Sequence, residues 1–281
     1  MTVYNSHVGR NFSCVSLRFG AVIGFGVVAI GSAYAQAGFT GPDTYPQFRD
    51  LSGLAGAGFG VTRDGHVGFN GAYSLTTPIG HGLRGGEYVF GLGNRSADKK
   101  LRMIGYSADT GVNSGGSAQL LVGMNTSLGT FTFSSLWMSS RLDSVQHLQF
   151  NPKMPTGGRW GLSFGVHNID GRGQNAGEGE PTDKKFSRSF YVAATCEYAD
   201  GNYLTLGKGE LRFQGFFANH THSFNERLKY VLEYDRFGWK HMAYFGASAP
   251  FLVYKGEPAK MFVGVGLIDG ASAVWTLNFS F

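Results

Sequence analysis

The last eleven residues read Ala271-Ser272-Ala273-Val274-Trp275-Thr276-Leu277-Asn278-Phe279-Ser280-Phe281, and they alternate without a break. Ala271, Ala273, Trp275, Leu277, Phe279 and Phe281 fall on one face. Ser272, Val274, Thr276, Asn278 and Ser280 fall on the other. A period of two marks an extended strand with unlike faces, because successive Cβ atoms point to opposite sides of the backbone.

The same pattern recurs upstream. Leu228, Tyr230, Leu232 and Tyr234 alternate with Lys229, Val231, Glu233 and Asp235. Similar runs cover residues 118–124, 160–167, 189–198 and 211–218. Further strand candidates are 67–73, 87–92, 101–106, 130–138, 241–247 and 261–268, with 145–150 and 202–206 as additions. Many runs reach about 8 to 11 residues, whereas a soluble strand averages about 5 to 6 and a tilted bilayer-crossing strand needs about 9 to 11. The links are short and polar, such as Asp269-Gly270 and Asp200-Gly201, the chemistry of tight hairpins. No amphipathic helix pattern stands out.

The expected fold is therefore all-β, an antiparallel up-and-down transmembrane barrel of about 12 strands (range about 10–14), at about 20 residues per strand and turn. A soluble exported β-sandwich is the alternative. Strand length favours the membrane, as do the aromatics near strand ends (Tyr198, Tyr234, Trp275), where an interfacial girdle would lie. The long polar segment 168–186 belongs on the extracellular side of such a barrel. Counting strands back from a periplasmic C-terminus puts it there if residues 203–207 are a strand of their own, the preferred reading, or if one of the later runs is two strands.

Composition agrees with a sheet in lipid. Glycine accounts for 44 of 281 residues, far above the usual level of about 7%, and only 15% are charged, where about 25% is usual. Aromatics reach 15%, which argues against disorder. A mean hydropathy of -0.10 argues against a polytopic helical membrane protein. Arg10 and Arg18 precede an apolar run over residues 19–30, followed by Ala33-Tyr34-Ala35. A basic start, an apolar centre and an A-x-A end make a secretory signal peptide, expected over 1–35. Residues 36–50, with Pro42 and Pro46, are expected to be a periplasmic lead-in or short plug, and 51–281 the barrel. Losing Arg10 and Arg18 lowers the net charge from +5 to +3, too mild for a nucleic-acid partner. Only Cys196 remains after residue 35, so no internal disulfide is expected there. Its register puts it on the lipid face.

The ending Trp275-Thr276-Leu277-Asn278-Phe279-Ser280-Phe281 resembles the C-terminal signal of Gram-negative outer-membrane β-barrel proteins, in which the last strand closes on an aromatic residue. The resemblance implies export, residence in the outer membrane of a Gram-negative bacterium, and insertion by the barrel-assembly machinery, with Trp275, Leu277, Phe279 and Phe281 as the assembly signal.

Chemistry is sparse. His220 and His222 share a face of a segment expected to be a polar turn, and nothing nearby completes a four-ligand metal site. No metal and no cofactor are expected. Ser223 beside His222 supplies the sole argument for an outer-membrane lipid hydrolase, without a third orienting group or a Gly-x-Ser-x-Gly elbow. Asp64-Gly65-His66 reads as a turn. The glycines at 53–60 lack a following Lys-Ser/Thr, so they read as a curved first strand and not a phosphate loop. The glycine-rich polar stretch 171–180 reads as a solvated loop.

The predicted inner face carries Glu87, Gln119, Glu197, Arg212, Gln214, Lys229, Glu233 and Asp235. Such groups line water or fill a lumen. The expected function is a non-enzymatic outer-membrane barrel, a narrow pore or a transport or export component. The alternatives are the lipid hydrolase and a structural barrel that binds a partner through its outer loops. Partners follow from these readings: outer-membrane lipid, and ions, small solutes or surface polysaccharide.

Overall fold

The computed structural model describes residues 51–95, 105–106, 113–114, 116–138, 143–155, 158–169, 188–210, 213, 215–235, 238–268, 270 and 272–281. The expected signal peptide and lead-in, residues 1–50, lie outside them. The strands are β1 (Tyr88–Arg95), β2 (Gly105–Tyr106), β3 (Asn113–Ser114), β4 (Gly116–Asn125), β5 (Gly129–Met138), β6 (Asp143–Pro152) and β7 (Trp160–His167). They continue with β8 (Ser189–Ala199), β9 (Asn202–Gly209), β10 (Gly215–Ser223), β11 (Leu228–Asp235), β12 (Gly238–Tyr254), β13 (Glu257–Ile268) and β14 (Ser272–Ser280).

β1 and β4 to β14 close a twelve-stranded antiparallel barrel in sequence order, with β1 pairing both β4 and β14. β2 and β3 form a separate two-stranded ribbon. Closure leaves no sheet edge, which lipid would punish. The first and last strands meet at one rim, where the Tyr88 and Phe281 backbones exchange hydrogen bonds. β9 is a strand of its own, so β7 ends and β8 begins at the opposite rim, here called the far rim.

The wall is apolar outside, and its inner face mixes polar groups with an apolar cluster. Phe90, Leu120, Phe190, Leu206 and Phe245 point outward and are exposed, and Phe216 is 77% exposed. Ser117, Gln119, Thr132, Gln149, Thr195, Thr205, Asn219 and Asn278 are buried on the inner register. Hydrophobic burial drives the outer face into lipid, not into a protein core. At the terminal rim Tyr88 packs edge-on to Tyr254, which in turn packs on Phe281, while Phe251 meets Phe279. This is an interfacial aromatic girdle.

Inner-face glycines make room for inward aromatic rings. A Cβ on Gly165 would strike the Tyr191 ring, and one on Gly207 would strike Phe217. Each ring lies over bare backbone of the neighbouring strand, which shields a glycine that would otherwise weaken the sheet.

Twelve strands form, but not the twelve most obvious ones. Residues 143–152 and 202–209 are full strands. Residues 67–73 and the glycine-rich 53–60, expected as strands, are not wall elements. Residues 51–87 sit inside the barrel, with Leu51, Phe59, Val61, Val67, Tyr73, Leu75, Ile79 and Leu83 fully buried. They pack into one cluster with the inward Val89, Leu121, Val231, Met242, Tyr244, Phe262 and Val274 of the wall. The segment folds on itself through single bridges, Ala57 with Ser74 and Val61 with both Val67 and Ala72. Alternation alone does not separate a wall strand from a chain buried on all sides. The run expected from residue 211 begins as a strand at Gly215 and continues to Ser223, so His220 and His222 lie on β10 and not in a turn. Cys196 keeps the outward register of Phe190 and Val192 yet is buried.

Candidate functional site: the occupied lumen

A segment without regular secondary structure must find partners for its backbone N–H and C=O groups, and inside a barrel those partners are wall side chains. The inner face supplies them in order of height. Near the middle, Gln119 accepts from the Gly53 amide (3.1 Å) and donates to the Ala57 carbonyl (2.7 Å) and to Asn278 (2.8 Å). Asn278 in turn donates to the Gly58 carbonyl (3.0 Å). Ser163 donates to the Ile79 carbonyl (2.9 Å), and Asn151 and Gln149 donate to the Gly80 and His81 carbonyls (2.9 Å each). Thr195 and Thr132 accept from the Gly80 and Leu83 amides (2.7 and 2.8 Å). Tyr244 donates to the Ser74 carbonyl (2.9 Å).

Towards the far rim the contacts become ionic. The Glu233 carboxylate accepts from the amides of Leu75 (2.8 Å) and Thr76 (2.9 Å) and from the hydroxyls of Thr76 (2.5 Å) and Thr77 (2.9 Å). The Thr76 hydroxyl also reaches Asp235 (2.8 Å). Lys240, fully buried, pairs with Asp235 at 2.6 Å and stands 3.6 Å from Glu233. Burying charge is costly unless it is paired and hydrogen-bonded; Glu233 meets both conditions, whereas the Lys240 ammonium is paired with the carboxylates without a well-aligned hydrogen bond.

At the terminal rim the plug turns back through a tight hairpin in which Gly65 adopts φ +82°. The Thr62 hydroxyl donates to Asp64 (2.5 Å), and His66 meets Glu87 at 3.0 Å. Arg84 stands 3.4 Å from Glu87, which also accepts from the Val67 amide (3.3 Å). Burial works to raise the Asp64 pKa. The Thr62 hydroxyl, its own backbone and the nearby His66 and Arg84 outweigh that and hold it below 3.8.

Each expected inner-face residue has a definite place. Gln119, Lys229, Glu233 and Asp235 are buried in the lumen, and Glu87 closes its terminal mouth. Lys229 donates to Ser223, to the Asn225 carbonyl (3.1 Å) and to Asn70 of the plug (3.4 Å). Glu197 is half-buried and accepts from the Gly201 amide of its own hairpin (3.1 Å). Arg212 and Gln214 lie outside the described residues. Lys240 lies one residue before the run expected over 241–247 and is not among the expected inner-face residues. Its parity with Met242 and Tyr244 was the available signal.

The pairing required of a hydrolase does not form. His222 and Ser223 are consecutive on β10, so the imidazole faces outward and the hydroxyl inward. Ser223 donates to the Asn225 carbonyl (2.9 Å), and His220 shares a hydrogen bond with the Tyr198 hydroxyl (2.6 Å) on the outer face. Among the described residues, no group of three or more His, Cys, Asp or Glu is placed to hold a metal.

No family model matches this chain, and no curated protein does. Two solved structures do, a KdgM porin and the KdgM porin in complex with disordered oligogalacturonate, at 11% and 10% identity. Each has a TM-score of 0.41 and covers 69% of this chain and 98% of its own.

Proposed function

We propose that this chain is a non-enzymatic outer-membrane barrel that works as a gated pore or export component, held shut by its own residues 51–87. The carrying observation is the fastening of the plug: an inside-out barrel binds an irregular segment of its own chain through polar wall side chains at every height. Water can replace such contacts, so the plug is held without being fused to the wall. The apolar cluster around Phe59 and Tyr73 sets the resting state as closed. The lipid-facing belt, the terminal aromatic girdle and the C-terminal ending support residence in the outer membrane. Trp275, Leu277 and Phe279 keep the outward register in β14, where an assembly factor would read them.

Planar-bilayer recording tests the reading. Wild-type protein is expected to stay closed for most of a recording. Thr76→Val/Thr77→Val removes three hydroxyl contacts to Glu233 and Asp235. Each hydrogen bond to a charged group is worth about 1.5–3 kcal/mol, so open probability should rise about tenfold or more. A folded double variant as silent as wild type would remove the gated-pore reading.

A further inference from the structure

Plug residues 73–77 cover a set of wall groups whose chemistry fits something other than a plug. One hydroxyl, that of Thr76, bridges two carboxylates, Glu233 and Asp235, and a second, that of Thr77, takes the other oxygen of Glu233. Asn219 donates to Glu233 (3.3 Å), and its Oδ1 is buried with no partner among the described residues. Lys240 adds a donor beside both carboxylates. Four positions further along β12, the ring of Tyr244 is covered by Tyr73 of the plug, with centroids 5.1 Å apart and planes inclined by 28°. Adjacent hydroxyls on paired carboxylates, an amide with a spare acceptor, and an aromatic face about 13 Å along β12 form a row on the inner face of β10 to β12. Carboxylates and amides select hydroxyl donors, while an aromatic ring offers an apolar face with a polar tip.

We propose that Glu233, Asp235, Asn219, Lys240 and Tyr244 form a subsite for an uncharged polyhydroxylated solute, a saccharide, and that Tyr73, Thr76 and Thr77 occupy it as a surrogate in the closed state. The inference rests on the gated-pore reading and names its solute class. Solute and plug compete for the same wall groups, so the solute favours the open state by its differential affinity. An anionic saccharide would bring its carboxylates against Glu233 and Asp235.

The test uses the full chain carrying Thr76→Val/Thr77→Val, checked as folded by its gel mobility before and after boiling, in planar bilayers. The probes are maltohexaose and cellohexaose, with oligogalacturonate as the anionic comparison. A neutral probe should interrupt the current. Adding Glu233→Gln, or Asp235→Asn should the first variant not fold, should raise the half-blocking concentration at least about tenfold, the loss of one charge-assisted hydrogen bond. Block by oligogalacturonate should be at least about tenfold weaker than by the neutral probes. A conducting channel that no neutral probe blocks, or one that prefers oligogalacturonate, overturns the subsite and leaves the pore standing. Should the variant not conduct, the pore reading fails, and calorimetric titration of the same protein with maltohexaose decides the subsite: binding weakened by Glu233→Gln supports it, and no heat of binding overturns it.

Discussion

Glu233 and Lys229 sit on the same face of β11, four residues apart, and do different work. Lys229 ties a hairpin of the wall to Asn70, whereas Glu233 gathers four donors from the plug and faces Lys240. Removing one partner from a buried charge cluster leaves the others unpaired. Glu233→Ala should therefore cost about 3–5 kcal/mol, while Glu233→Gln keeps an acceptor and should cost less. The midpoint of the denaturant-induced loss of the fast-migrating gel band checks this. Equal midpoints for wild type and Glu233→Ala would mean that the cluster does not hold the plug. The parity that puts Lys229, Glu233 and Asp235 on one face is visible in the sequence. What they meet is not, because Thr76 lies about 157 residues away in a segment with no periodic pattern of its own.

The same contrast holds for whole elements. Strands with one face in lipid and one in the lumen announce themselves by alternation, as β8, β11 and β14 do. Residues 67–73 alternate too, but they turn at 68–71, where the Gly71 amide donates to the Gly68 carbonyl, and fold back on Val61 inside the barrel, which the alternation does not show. The turns were legible where glycine forces them, as at Gly65. That hairpin should respond to acid. The Asp64 pKa is lowered below 3.8 in the folded protein. Its stabilising contribution is therefore fully present above about pH 5 and is lost as pH falls through the lowered folded value. Amide protection at residues 62–66, taken relative to the intrinsic exchange rate at each pH, should fall only at the acid end of that window, and Asp64→Asn should flatten the response. Protection that is lost between pH 5 and 7 would assign the hairpin's order to a group other than Asp64.

At the scale of the whole molecule, the polarity of the wall decides between membrane and water. A soluble barrel would turn Phe190, Leu206, Phe216 and Phe245 inward and Gln119, Asn219 and Asn278 outward, and this chain does the reverse. A filled lumen adds a second consequence. The plug packs the interior as a core, so wall and plug are expected to resist detergent together. After membrane fractionation the protein should remain with the outer membrane. Unboiled, it should run as a compact, fast band, and boiling should convert that band to the mobility of the unfolded chain. Release with the periplasmic fraction, or a single mobility regardless of heating, would favour a soluble sandwich. The plug sharpens the experiment. Conversion of wild type should be a single step, and Thr76→Val/Thr77→Val should convert at a lower temperature while still shifting on boiling, because the strand pairs that close the sheet, β1 with β4 and β14, keep all their backbone hydrogen bonds in the variant. A double variant that no longer shifts at all would show that the twelve strands need residues 51–87 to close, and that the segment is a folding core and not a gate.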